Sequence, residues 1–141
     1  MKDKNKIIKK ISDALNANDL ETARKLVEND LKRVGLKEEY YFYLALIQKD
    51  LKKKLELYTF ALNLNEKFLD AWINRGLVYN ELGDYEKSIS DYNKAIEIDS
   101  KCALAFNNRG YTRFKQKDYQ GALEDYNKAI LLNPKFQMAL D

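Results

Sequence analysis

The chain has 141 residues, of which 45% are hydrophobic and 33% charged, and its formal net charge is +3. That length suits a single domain with enough apolar residues for a core, and the one cysteine excludes an intramolecular disulfide framework. No stretch resembles a signal peptide or is apolar enough to span a bilayer. Together with the single cysteine, this predicts a cytoplasmic protein.

Positive charge is concentrated in the first half of the sequence. Residues 1–68 contain 15 basic and 11 acidic side chains, whereas residues 69–141 contain 10 and 11. The excess lies in two lysine groups, which are Lys2, Lys4, Lys6, Lys9 and Lys10, and Lys52, Lys53 and Lys54. Such groups can attract an anionic partner or nucleic acid, but these lysines lack interleaved arginines and lie beside acids. We therefore interpret them as solvated surface.

Apolar residues recur at helical spacing along the chain, beginning with Ile7 and Ile11. The spacing predicts eight helices, over residues 5–16, 19–33, 38–49, 52–65, 69–82, 85–98, 103–116 and 119–132. Asp19, Asp84 and Asp118 lie at the start of the second, sixth and eighth helices. An aspartate side chain in that place caps free backbone N–H groups, so we predict that all three are N-caps.

The second half of the sequence repeats with a period of 34 residues. Residues 72–76 (WINRG) align with residues 106–110 (FNNRG), and residues 91–96 and 125–130 both read DYNKAI. Turn positions at 19, 50, 84 and 118 extend a weaker form of the pattern into the first half. Their spacings of 31, 34 and 34 indicate that one early hairpin is about a turn short.

These motifs resemble the tetratricopeptide repeat, whose signature is W-x2-L-G-x2-Y, then A-x3-F, then P. One copy here reads Trp72, Arg75, Gly76, Tyr79, Ser88, Tyr92 and Ser100, and the other reads Phe106, Arg109, Gly110, Arg113, Ala122, Tyr126 and Pro134. The match covers residues 69–136, and residues 4–68 carry degenerate copies. The most visible departure is an arginine in place of the leucine before each glycine.

The resemblance implies an all-α fold, an α-solenoid of antiparallel helical hairpins that form a right-handed superhelix of about eight helices. We expect one domain over residues 1–141, with hairpins at about 4–34, 36–68, 69–102 and 103–136 and with residues 137–141 starting a further helix. Gly76 and Gly110 should admit a close second helix, with Ser88 and Ala122 as the small facing residues.

Each arginine that replaces the usual leucine has an aspartate sixteen residues later, so that Arg75 goes with Asp91 and Arg109 with Asp125. The weaker copies lack both members, so the arginine and the aspartate occur together or not at all. This pairing predicts structural ion pairs between helices, in preference to contacts with a ligand.

The sequence contains no catalytic pattern. It has no histidine, no glycine-rich phosphate loop and no metal-spaced cysteine cluster, and we interpret Cys102 as a small apolar packing residue. We therefore predict a protein that is not an enzyme, with no catalytic residue, no cofactor and no metal site. The predicted function is protein–protein interaction, as an adaptor that holds a segment of a partner protein.

In proteins with this repeat, the first helix of each hairpin lines a concave groove. The corresponding residues here are Asn74, Asn108, Ile73, Leu77, Asn80, Asn107, Tyr111, Phe114 and Lys115. The resemblance implies that Asn74 and Asn108 contact a peptide backbone, because a carboxamide offers one peptide unit both a donor and an acceptor. Neighbours such as Tyr111 and Phe114 would then select side chains. The alternative is that both asparagines only bridge adjacent helices.

A second binding mode of the family clamps a terminal carboxylate with basic side chains from successive first helices. The positions for the basic members here read Ile73, Leu104 and Asn108, so the clamp is incomplete. We therefore do not expect binding of a chaperone tail by this mode.

Other functions stay open beside the adaptor. The last helix carries apolar residues such as Tyr126 and Ile130 with no polar covering helix after it, so we expect a homodimer or a partner to cover it. A self-associating scaffold or a small dedicated inhibitor or immunity-type protein would also fit. RNA binding through Tyr40, Tyr41 and Tyr43 ranks below peptide binding, since helical packing accounts for at least one of these rings.

Overall fold

The computed structural model describes residues 2–35 and 37–139, without the side chains of Lys2 and of residues 137–139. Within this part of the chain every regular element is helical, which confirms the predicted all-α fold. The chain forms two compact units, Met1–Glu66 and Lys67–Asp141, and each is described by itself.

Among its described residues, the first unit contains four helices in sequence. Helix α1 spans Lys2–Asn16, α2 spans Leu20–Lys25 and continues as a π-helical stretch over Leu26–Leu31, α3 spans Lys37–Leu46, and α4 spans Leu51–Leu64. Ile7 and Ile11 of α1 pack against Val27 and Leu31 of the π-helical stretch and form a core there. The predicted apolar spacing is thus confirmed, although the second helix is partly π-helical.

The second unit holds the 34-residue repeats. Helix α5 spans Leu69–Glu81, α6 spans Tyr85–Ile98, α7 spans Ala103–Lys115, α8 spans Tyr119–Leu132, and a 3-10 helix covers Pro134–Ala139. Consecutive helices pack against each other, α5 on α6, α6 on α7 and α7 on α8. The further helix predicted for residues 137–141 coincides in part with the 3-10 helix, and residues 140–141 lie outside the described residues.

The predicted aspartate N-caps are confirmed. The side chains of Asp19, Asp84 and Asp118 each accept a hydrogen bond from the backbone N–H three residues later, at 3.1, 3.3 and 3.0 Å. Asp50 caps α4 in the same manner and accepts from the N–H of Lys52 at 3.0 Å. These bonds satisfy backbone donors that have no partner within the helix, and they define where α2, α4, α6 and α8 begin.

Gly76 lies in the middle of α5 because no side chain fits there. A Cβ atom on Gly76 would lie 2.6 Å from the ring of Tyr92 on α6, closer than real Cβ contacts come. The hydroxyl of Ser88 also donates to the Gly76 carbonyl oxygen at 2.8 Å, so Ser88 faces this glycine as predicted. The glycine and the serine together bring α5 and α6 close to each other.

Gly110 occupies the matching position on α7, and the atoms nearest to it belong to Asp125 and Tyr126 of α8. A Cβ atom there would lie 3.1 Å from the Cβ of Asp125 and 3.1 Å from the ring of Tyr126. Ala122 is buried on α8, and its role as the small residue facing Gly110 stays a prediction. The larger side chains of the next turn of α8 reach the glycine first.

The predicted ion pairs are confirmed, and each links the two helices of one hairpin. Arg75 donates two hydrogen bonds to the carboxylate of Asp91, both at 2.8 Å, and Arg109 donates two to Asp125 at 2.9 and 2.7 Å. Arg113 adds a third bond to Asp125 at 2.9 Å. Burial disfavours the charge of Arg75, but the hydrogen bonds to Asp91 and the negative charge of Asp91 together outweigh burial and raise the pKa of the guanidinium.

Candidate binding site

Helices α5 and α7 come from successive hairpins and contact each other in the second unit. The hydroxyl of Thr112 on α7 donates to the side-chain oxygen of Asn80 on α5 at 3.0 Å. The same hydroxyl lies 3.4 Å from the hydroxyl of Ser88 on α6. This buried chain of polar groups holds three helices in one arrangement. Sequence analysis missed Thr112, because the repeat has Val78 at the matching position.

Asn74 on α5 and Asn108 on α7 occupy matching positions of the two repeats, and both side chains are half-buried. Within the described part of the chain, neither carboxamide makes a hydrogen bond, and the carboxamide of Asn107 makes none either. No bond between helices therefore uses these groups among the described residues. Each carboxamide keeps its donors and its acceptor for another molecule or for water.

Exposed apolar side chains lie close in sequence to the two asparagines, on the same helices α5 and α7. Leu77 and Leu104 are exposed, and Tyr111 and Phe114 expose 45% and 52% of their surface. The ammonium group of Lys115 lies 5.2 Å from the centre of the Tyr111 ring, a cation–π contact. Such clustered apolar exposure is typical of an interaction site.

We name these side chains of α5 and α7 the groove face. Its members are Asn74, Leu77, Asn80, Leu104, Asn107, Asn108, Tyr111, Phe114 and Lys115.

Ile73 does not belong to the groove face, and its prediction as a groove residue is wrong. Only 4% of its surface is exposed, and it packs in a core cluster with Tyr92, Ala95 and Ala105. These neighbours come from α6 and α7, so Ile73 points toward the interior of the unit. Its counterpart in the next repeat is Asn107, which is half-buried.

The tyrosines considered for RNA binding are engaged in packing within the first unit. The ring of Tyr41 stacks on Phe60 at 5.4 Å between centroids, and Tyr40 meets Tyr41 edge-on at 5.3 Å. Tyr43 packs edge-on against Phe42 at 5.1 Å. All three tyrosines are half-buried, so no row of free rings faces solvent here. RNA binding through these residues has no support in this arrangement.

Two of the N-terminal lysines form ion pairs. The ammonium group of Lys4 lies 2.8 Å from the carboxylate of Glu39, and that of Lys9 lies 3.2 Å from the carboxylate of Asp13. The hydrogen bond with Glu39 raises the pKa of Lys4. Paired lysines at a surface fit the interpretation of this region as solvated surface.

Among residues 2–35 and 37–139, no three His, Cys, Asp or Glu side chains are grouped so that they could hold a metal ion. The helices of the same residues all lack the combination of length and apolar character that a membrane-spanning helix needs.

Comparison with protein families matches the second unit to one of them. The family model described as "Tetratricopeptide repeat" matches residues 69–102 and 103–136. Residues 69–136 belong to the tetratricopeptide-repeat (TPR) family. The two matched segments have the bounds predicted for the third and fourth hairpins, and they correspond to α5 with α6 and α7 with α8. The degenerate copies predicted for residues 4–68 stay a prediction.

Solved structures show the TPR fold over a larger part of the chain. MamA is 20% identical with a TM-score of 0.75, and the match covers 94% of this chain and 79% of MamA. The Arabidopsis OM64 TPR domain is 28% identical with a TM-score of 0.67, and the match covers 70% of this chain and 84% of that domain. The helical-repeat solenoid fold is therefore confirmed.

A third structure carries a bound peptide. The first TPR of Spaghetti (RPAP3), bound to the HSP90 peptide SRMEEVD, is 21% identical with a TM-score of 0.66, and the match covers 74% of this chain and 93% of that one. A search of curated proteins found no match to this chain.

Proposed function

We propose that this TPR protein is a non-enzymatic adaptor that binds an extended segment of a partner protein on its groove face. The observation that carries the proposal is the pair of unbonded carboxamides, Asn74 and Asn108, in matching positions beside exposed apolar side chains. The structure of the Spaghetti TPR supports it, because that protein has the same fold and is bound to an HSP90 peptide.

The two asparagines suit a peptide backbone, whatever the side chains of the peptide. Each carboxamide donates to a peptide carbonyl and accepts from a peptide N–H, which satisfies both groups of one peptide unit. Leu77, Tyr111 and Phe114 offer apolar surface to the side chains of the partner. We therefore expect the bound segment to be extended and to carry apolar residues.

A clamp for a terminal carboxylate is not part of this proposal. The positions where the clamp needs basic side chains carry the buried Ile73, the apolar Leu104 and the neutral Asn108. A free C-terminus would find no positive group at these places, so we expect an internal segment of the partner to bind at least as well.

The first prediction tests the groove face directly. Peptides enriched from a random library on the wild-type protein are titrated by calorimetry against the Asn74→Ala/Asn108→Ala double variant. The loss of hydrogen bonds at two sites costs about 2 kcal/mol of binding free energy. The dissociation constant of the double variant should therefore be roughly thirtyfold higher than that of wild type.

The matched control is Asn63→Ala, which removes an exposed asparagine on α4 with no hydrogen bond among the described residues. This variant should bind like wild type, and all variants should keep the wild-type helicity. Unchanged affinity in a folded double variant would refute the role of the asparagines.

Self-association through α8 is a second candidate function, and it uses another helix. Leu131 on α8 exposes 78% of its surface, more than any other large hydrophobic side chain among the described residues. Surfaces of this kind mark places where another protein binds. A homodimer through α8 is compatible with peptide binding, because the groove face belongs to α5 and α7.

A further inference from the structure

Helix α8 differs from its repeat counterpart α6 at selected exposed positions. The two helices share the segment DYNKAI, yet Glu97 on α6 corresponds to Leu131 on α8, and Ser90 corresponds to Glu124. Leu123 exposes 54% of its surface and lies eight residues before Leu131, with the exposed Asn127 midway between them. Residues four apart lie on the same side of a helix. Leu123, Asn127 and Leu131 thus form one line, which we name the α8 stripe.

On α6, the residue that matches Asn127 contacts the next hairpin. The side-chain oxygen of Asn93 accepts a hydrogen bond from Arg109 of α7 at 2.8 Å. Asn127 is the counterpart of Asn93, and it has no hydrogen-bond partner within the described residues. The α8 stripe therefore retains the polar group that α6 uses to hold a neighbouring helix.

The charges beside the stripe also lack partners. On α6, Lys94 forms an ion pair with Glu97 at 3.4 Å. On α8 the acid is replaced by Leu131, and Lys128 has no ion pair among the described residues. Glu124 accepts a hydrogen bond from Gln120 at 3.2 Å and makes no ion pair in the same part of the chain. Glu124 and Lys128 lie four residues apart, on the same flank of the stripe.

We propose that two copies of this chain pair their α8 helices antiparallel about a two-fold axis at Asn127, a geometry that rests on the self-association proposed above. Such an axis places Leu123 of one copy against Leu131 of the second copy, twice, and sets the two Asn127 carboxamides face to face. The two-fold rotation also places the equivalent flanks of the two helices on the same side of the interface. Each Glu124 therefore lies near Lys128 of the second copy. One stripe thus complements itself in shape and in charge.

The occupant is a second copy because each feature of the stripe finds its complement in the stripe itself. The leucines are symmetric about the asparagine, and the acid and the base on the flank exchange places under the two-fold rotation. An unrelated partner helix would need the same arrangement by coincidence.

The experiment starts with sedimentation of the full chain over a concentration series. We expect a monomer–dimer equilibrium for wild type. Leu131→Glu restores the residue type that α6 carries, and it should weaken dimerisation at least tenfold while leaving the circular dichroism spectrum unchanged. Leu104→Glu makes the same substitution at an exposed leucine of α7 and should leave the dimer intact.

Charge exchange and cross-linking then test the geometry. Lys128→Glu should weaken the dimer, and adding Glu124→Lys to it should restore the dimer, because the opposite charges meet again. In a Cys102→Ser background, Asn127→Cys should give a disulfide-linked dimer under mild oxidation, since the two copies lie together at the axis. Lys94→Cys on α6 should stay monomeric under the same oxidation.

The outcomes separate the two levels of the proposal. A wild-type protein that is monomeric at every concentration would overturn self-association and this geometry together. A dimer that is insensitive to Leu131→Glu and gives no cross-link through Asn127→Cys would overturn the antiparallel α8 pairing and leave self-association standing.

Discussion

Equivalent residues of the two repeats carry unequal constraints, because their neighbours differ. Gly76 faces the ring of Tyr92 across a gap with no room for a methyl group, whereas Gly110 leaves a gap that is half an ångström wider. Small differences of this kind matter in a close-packed interior, where a volume change of one methylene group affects stability.

The glycines give a prediction at this scale. In a helix interior, Gly→Ala gains about 1 kcal/mol from helix propensity, but overpacking costs roughly 1–3 kcal/mol. Gly76→Ala should therefore lower the free energy of unfolding by up to about 2 kcal/mol, because the Tyr92 ring must move. Gly110→Ala should change it by less than about 1 kcal/mol. Urea unfolding of both variants measures the difference, and equal stabilisation by both would contradict the packing described here.

Tyr92 gives a second prediction at the residue scale. Its ring is fully buried, and its hydroxyl has no hydrogen-bond partner among the described residues. Burial raises the pKa of Tyr92 to about 12, whereas a tyrosine in an unfolded chain titrates near about 10. The folded state favours the protonated phenol. The contribution of this preference to the free energy of unfolding is therefore complete below about pH 10 and is lost as the pH rises toward about 12.

Tyr92→Phe should therefore unfold less readily at high pH than wild type. At pH 7 the variant should be at least as stable, because an unsatisfied buried hydroxyl costs about 1 kcal/mol or more. At about pH 11 its advantage should grow by roughly 1 kcal/mol. Thermal unfolding followed at several pH values measures both effects. A variant that loses stability at pH 7 would show that the hydroxyl has a bonding role.

At the scale of the helical elements, the ends of α5 and α7 show how the repeat tolerates variation. The second residue after each helix adopts a left-handed conformation, with φ of 82° at Gly83 and 68° at its counterpart Lys117. Glycine adopts this conformation without strain, whereas in other residues the Cβ atom makes unfavourable contacts with the backbone. The second repeat therefore keeps the turn at an energetic cost that the first repeat avoids.

Lys117→Gly should stabilise the protein by about 0.5–1 kcal/mol, because the relief of strain exceeds the entropy that glycine adds to the unfolded chain. The reverse change in the first repeat, Gly83→Lys, should destabilise by a similar amount. Both positions are exposed, so no other contact should change. The melting temperatures of the two variants decide the matter, and a shift in the same direction for both would contradict the strain argument.

At the scale of the whole molecule, the second unit combines two surfaces on different helices. The groove face belongs to α5 and α7, and the α8 stripe belongs to α8. A protein that dimerised through the stripe would carry two groove faces, and a partner with two binding segments would then gain avidity from the second site.

Much of this architecture was readable from the sequence, for a physical reason. Helix bounds and the caps at Asp19, Asp84 and Asp118 depend on local spacing and on side chains that bond to nearby backbone groups. The ion pairs of Arg75 and Arg109 join different helices. They could still be predicted from the repeat, because each arginine occurs only together with its aspartate. Interactions that are local, or that are copied at a fixed period, leave a trace in one sequence.

Other features were decided only by tertiary structure. The burial of Ile73, the contact of Gly110 with Tyr126 and the bond from Thr112 to Asn80 depend on which side of a helix meets its neighbour and at what distance. A helical period tells which residues share a face, but it does not tell how closely the opposite helix approaches or how far its side chains reach. These depend on the packing of side chains from several helices at once, which no single segment encodes.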